Sequence, residues 1–111
     1  MLAIDEEYLK SREKCPMTYV ANAIGGKWKA NIIYILSSHE GIRYGQLKKL
    51  LPETSHKVLN EQLKELIDFG LVYRSQYEAI PLKVEYRLTQ KGKTTLPILK
   101  VMYEWGKANS N

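Results

Sequence analysis

One cysteine in 111 residues rules out an internal disulfide framework. No apolar run approaches the ~18 residues that suggest a membrane span. Histidine is scarce as well: His39 and His56 are the only two, and neither stands near a nucleophile motif. No metal-ligand spacing, phosphate-binding glycine loop or paired-acid motif is present. These absences leave no candidate catalytic residue, metal site or cofactor, and the chain is not expected to be an enzyme. Internal repeats, low-complexity tracts and linkers are also lacking. The length fits one domain with one core. The opening MLAIDEEYLK is acidic and poor in apolar residues, which does not read as a secretory signal. With a single thiol, this sets the expectation of a cytoplasmic protein with no membrane partner.

What is present is charge, unevenly placed. The net charge is +5. Through residue 14, Asp5, Glu6, Glu7 and Glu13 slightly outnumber Lys10, Arg12 and Lys14. From residue 83 to 93, Lys83, Arg87, Lys91 and Lys93 face Glu85 alone. A chain polarised in this way suits a polyanion bound on one face, although a solvated basic surface has the same composition.

The hydrophobic spacing predicts mainly helix with one small β-hairpin. A short helix is expected over 5–13, with Ile4, Tyr8 and Leu9 apolar, and a second over 17–24, stopped by Gly25-Gly26. A third runs from Lys27 to about Ser38 on Trp28, Ile32, Ile33, Ile35 and Leu36. The segment IRY is extended. GQLKKLLP makes a helix with Leu47, Leu50 and Leu51 inward, closed by Pro52. Ser55 caps the next helix, whose Leu59, Leu63, Leu66 and Ile67 fall on one face and which Gly70 ends. LVYRSQY and KVEYRL read as strands. The second places Val84, Tyr86 and Leu88 on one face and Lys83, Glu85 and Arg87 outward on the other. Thr89 caps a last helix to about residue 108, bent or broken by Pro97. Two short helices joined through PET, followed by a hairpin, describe a single winged helix-turn-helix domain over 1–111. Its helix-turn-helix spans 44–69, its wing 71–88, and arms at 1–14 and 96–111 are free for dimerisation.

Such units place the second helix in the DNA major groove. With the apolar side of that helix committed to the core, Ser55, His56, Lys57, Asn60, Glu61 and Lys64 remain to meet DNA. Asn60 has the amide geometry to pair with adenine, and Lys57 reaches guanine or phosphate. Lys83 and Arg87 on the wing, with Arg74 and Arg43, are the expected minor-groove or backbone contacts; Arg43 pairing with a carboxylate is the alternative. The terminal segments carry more apolar surface than one small core needs. Ile4, Tyr8, Leu99, Met102, Tyr103 and Trp105 are therefore candidates for a two-fold interface, which sets recognition helices one DNA turn apart, roughly 34–36 Å. Packing back on the same chain is the competing arrangement.

These residues also carry a resemblance. CPMTYVANAIGGKWKANIIYIL, RYGQLKKLLPETSHKVLNEQLKELIDFGLVYR, PLKVEYRLTQKGKTTLPIL and YEWG resemble the HxlR family of bacterial winged-helix transcription regulators, relatives of the MarR group, over about residues 15–106. The resemblance implies a homodimer on double-stranded operator DNA that represses or activates nearby genes, with first and last helices at the dimer interface. It also implies, for some members, sensing of small electrophiles or oxidants through the cysteine matched here by Cys15. Family members often carry glutamine where this chain has Glu61, and Pro-Pro where it has Pro81-Leu82.

The reading is thus a dimeric repressor on a pseudo-palindromic operator, possessing in Cys15 either a redox sensor or a small buried filler. Pro16 suits the first helical position and puts Cys15 at the helix N-cap, where unpaired amides favour the thiolate. The alternative function is a winged-helix interaction module that docks an acidic protein partner without specific DNA binding, to which Glu61 and Asp68 lend some support.

Overall fold

Pro16 opens the first of six helices that the computed structural model shows among residues 15–110, the residues it describes. They are α1 (Pro16–Ile24), α2 (Lys29–Ser37), α3 (Tyr44–Leu50), α4 (His56–Asp68), α5 (Gln90–Lys93) and α6 (Leu96–Asn109). Two strands, β1 (Val72–Tyr77) and β2 (Lys83–Leu88), stand between α4 and α5 and pair antiparallel, from Val72 opposite Leu88 to Tyr77 opposite Lys83. The helix expected over 5–13, with Ile4 and Tyr8, lies outside the described residues.

The centre of the fold is α2. Its Ile32, Ile33 and Leu36 are buried, and it packs against α1, α4, α6 and β2. An element surrounded on several sides must be apolar over more than one stripe, which explains its dense isoleucine content. Leu47 from α3, Leu59, Leu63 and Leu66 from α4, and Leu71 and Val72 at the start of β1 complete the core. Ile42 adds a short edge to the hairpin: its amide donates to the Tyr86 carbonyl (3.1 Å) and its carbonyl accepts from the Tyr86 amide (2.9 Å). The wing is thereby stitched to the residues just before α3.

Turn chemistry fixes the ends of α4. Ser55 Oγ accepts from the Val58 amide at 3.1 Å, the bond an N-cap serine makes. At the far end Gly70 takes φ +74°. Its amide donates to the Ile67 carbonyl and that of Leu71 to the Leu66 carbonyl, both at 2.9 Å. This is a Schellman stop, in which the left-handed residue favours glycine.

Several expectations from the periodicity need correction. Leu50 is 53 % exposed, because α3 is short and turns only Leu47 inward, while Leu51 is buried just past its end. Ile67 lies at the exposed edge of the apolar stripe on α4. The last helix is two helices. Thr89 Oγ1 accepts from the Gly92 amide and caps α5. The chain breaks at Thr94–Thr95, and Pro97 sits in the first turn of α6, where its missing amide costs nothing. Leu99, proposed for an interface, is 2 % exposed and belongs to its own chain's core. Lastly, Glu85 does not point out into solvent on the wing: it is buried to 9 % exposure.

Candidate nucleic-acid interface

The helix-turn-helix is α3, the turn through Pro52–Ser55, and α4. Leu59, Leu63 and Leu66 anchor α4 inward, so the side chains between them must face solvent. Ser55, His56, Lys57, Asn60, Glu61 and Lys64 are all exposed. No described residue forms a hydrogen bond or ion pair with the side chains of Lys57, Asn60, Glu61 or Lys64. An amide, two ammonium groups and a carboxylate are thus held on a rigid element with their bonding capacity unspent. That is what direct reading of base edges and phosphates requires.

His56, the first residue of α4, is held in place. Its Nδ1 lies 2.8 Å from the Tyr44 hydroxyl, and the two rings stack at 5.7 Å between centroids. Burial, and then the neighbouring Tyr86, push the Tyr44 phenol pKa above its ordinary value. The phenol therefore keeps its proton and can donate it to His56. This contact joins the N-termini of α3 and α4 and fixes where the recognition face begins. Tyr44 was missed in the sequence, since a pair twelve residues apart leaves no periodic signal.

A second missed residue is Lys29. Its ammonium is buried, donates to the Asn22 carbonyl at 2.9 Å and lies 3.5 Å from the Glu65 carboxylate. It therefore ties α1 to α4 through α2. Nothing in GGKWK distinguishes Lys29 from its exposed neighbour Lys27.

The wing differs from α4. Arg87 Nη2 donates to Glu85 Oε1 at 3.1 Å and to the Tyr77 hydroxyl at 3.0 Å. Lys83 lies 3.6 Å from the other Glu85 oxygen and 5.8 Å from the centre of the Tyr77 ring. Burial pushes the Glu85 carboxyl pKa up, but the Arg87 hydrogen bond and the charges of Lys83 and Arg87 outweigh it and hold that carboxyl below its ordinary value. Both expected wing cations are therefore engaged by one acid. Arg74 on β1 and Arg43, the residue capping α3, are exposed, and no described carboxylate lies within ion-pair distance of either. The alternation of KVEYR did contain the signal, since residues two apart on a strand share a face.

Cys15 is buried at the N-cap of α1, directly before Pro16. The Thr18 amide lowers its thiol pKa most; burial opposes this and the Met17 amide assists. At the other end of the chain, Met102, Tyr103 and Trp105 on α6 are 48 %, 58 % and 70 % exposed. Tyr103 touches Tyr34 of α2 at 5.8 Å between ring centres. No helix among the described residues is long and apolar enough to cross a membrane.

Known proteins share this arrangement. The family model described as HxlR-like helix-turn-helix matches residues 23–111. The HTH-type transcriptional regulator YdzF of Bacillus subtilis is 44 % identical over 86 % of this chain and 88 % of its own length. The putative regulatory protein MalR of Fusobacterium mortiferum is 46 % identical over 90 % and 94 %. Among solved structures, the redox regulator HypR in its oxidized form superposes with a TM-score of 0.82 at 37 % identity, covering 87 % of this chain and 99 % of that one. The reduced form of the regulator YodB from B. subtilis gives 0.76 at 31 % identity, covering 87 % and 95 %.

Proposed function

The chain belongs to the HxlR-like helix-turn-helix family of transcriptional regulators, and on that premise we propose that it represses transcription in the cytoplasm, as a homodimer on a pseudo-palindromic DNA operator. The observation that carries the proposal is the row of unspent polar side chains on α4, held by a capped and core-anchored helix. Asn60 reads a base edge, Lys57 and Lys64 take a base or phosphate, and Arg43 and Arg74 hold the backbone. Met102, Tyr103 and Trp105 form the partner-facing part of α6, together with the segment that carries Ile4 and Tyr8. The protein acts by binding and not by catalysis.

Cys15 acts as the redox switch of this regulator. Support comes from its N-cap position, its lowered thiol pKa and the likeness to the redox regulator HypR. Oxidation joins Cys15 either to its copy in the second subunit or to a small thiol, since the chain has no other cysteine.

The test is fluorescence anisotropy of the protein on DNA flanking its own gene, across a salt series and with and without a thiol oxidant. Salt-sensitive, sequence-dependent binding supports the DNA reading. Affinity for no duplex at any salt concentration would turn the assignment toward docking on an acidic protein. Release by oxidant that persists in Cys15→Ser removes the switch and leaves DNA binding intact.

A further inference from the structure

His56 stands apart from the other polar residues on the face of α4, because one of its two ring nitrogens is already engaged. Its Nδ1 lies 2.8 Å from the Tyr44 hydroxyl, and the two rings stack with 24° between their planes. Its Nε2 has no hydrogen-bond partner among the described residues. The side chain is exposed at the first position of α4, directly before Lys57. Residues at this end of a recognition helix meet base edges.

A neutral imidazole carries one proton, and the bond made by one nitrogen sets the state of the other. Two features put the lone pair on Nδ1. The Tyr44 hydroxyl has no other partner among the described residues, so Nδ1 is the acceptor for its proton. The unpaired amides of the first turn lie beside Nδ1, the ring nitrogen nearer the backbone, and their partial positive charge favours a lone pair there over an N–H. The proton then belongs to Nε2. The same bond holds the ring against rotation about its last torsion, which is otherwise broad and roughly two-fold. Asn60 carries both a donor and an acceptor, and the lysines serve base and phosphate alike, whereas His56 presents one fixed donor. In the major groove a purine N7 accepts such a donor, while cytosine offers a donor of its own.

On the DNA-binding reading above, on which this inference rests, we propose that His56 reads a purine N7 through its Nε2–H. Tyr44 is its positioning residue: the hydroxyl fixes which nitrogen bears the proton and which way the ring faces. Tyr44 itself touches no base.

The experiment has two arms on the full chain. Long-range ¹H–¹⁵N spectra without DNA, at about pH 8 where an imidazole is ordinarily neutral, should show His56 with a bare Nδ1 and a protonated Nε2. Tyr44→Phe keeps the ring stack and should leave the two proton positions in exchange. In the second arm each purine of the operator is replaced in turn by its 7-deaza analogue, which lacks the N7 acceptor, and affinity is read by anisotropy. One such change should weaken the native chain about fivefold, as expected for one hydrogen bond, and should cost His56→Ala nothing further. Tyr44→Phe should cut that penalty to about twofold and leave binding to a scrambled duplex unchanged. If Tyr44→Phe fails to fold, the cycle with His56→Ala decides, since His56 is exposed. A protonated Nδ1 in the DNA-free chain, or indifference to every 7-deaza purine, would overturn the proposal. So would a loss in His56→Ala that is equal on operator and scrambled duplex, which marks a phosphate contact. Affinity for no duplex at all overturns the DNA-binding reading and the base contact with it, and the absence of scrambled-duplex binding tells that failure from the others.

Discussion

On α4, Lys57, Asn60, Glu61 and Lys64 stand in solvent with no bond to another described side chain, whereas on β2 Lys83 and Arg87 close upon Glu85. Both regions bear cations next to an acid. Spacing makes the difference. On the helix, Glu61 lies three or four residues from Lys57 and Lys64, within reach, yet no pair forms between these exposed, flexible side chains. Such pairs contribute only about 0–1 kcal/mol even when made. On the strand, the acid sits between two cations two residues away on the same side, partly buried, with Tyr77 beside it. The geometry leaves the cations little else to do. A basic residue in a sequence is therefore not yet a basic residue available to DNA.

Four outcomes test this contrast, taken from the largest effect downward. Asn60→Ala should weaken operator binding by about 1–3 kcal/mol, roughly 5–150-fold, and leave binding to a scrambled duplex unchanged; anisotropy on the two duplexes reads both numbers. Glu85→Gln should release Lys83 and Arg87, strengthen binding to any duplex, and steepen the slope of log K against log salt by about 1.8 for two added contacts. An unchanged slope would mean that the wing cations were never withheld. Lys57→Ala should make the slope shallower by about 1, as expected for one lost phosphate contact, or reduce discrimination instead if Lys57 meets a guanine. The smallest effect is in pH. The Glu85 pKa is lowered in the fold, so its stabilising contribution is complete above the ordinary carboxylate value and is lost as pH falls through the lowered one. Wing resonances of the native chain should shift only in that acid range, and Glu85→Gln should abolish that step.

Much of the architecture was legible because it rests on local rules. Ser55 and Gly70 bracket α4 with the two residue types that helix ends favour, and the leucine spacing between them sets which side faces the core. Asn60 and Lys57 followed by subtraction. The misses have a common cause in contacts that no local rule encodes. Tyr44 finds His56 across a turn, Lys29 finds Asn22 and Glu65 on two different helices, and Leu99 is claimed by α2 before any partner can have it. Pro97 suggests a breaker inside one helix, but Thr94–Thr95 end α5 and leave the proline to begin α6. The exposed row on α6 was visible as surplus apolar surface; how it divides between core and partner depends on packing.

The bridge between Ile42 and Tyr86 has a consequence for the order of assembly. The contacts of α3 with α4 are close in sequence, so that pair can form as soon as its residues leave the ribosome. Ile42 must wait until β2 has been synthesised. Contacts between distant residues carry a loop-closure cost before they return anything, which places wing closure late. The helix-turn-helix is therefore built first and clasped afterwards. A nascent chain halted before residue 83 would hold the reading helix without the strand that secures its approach.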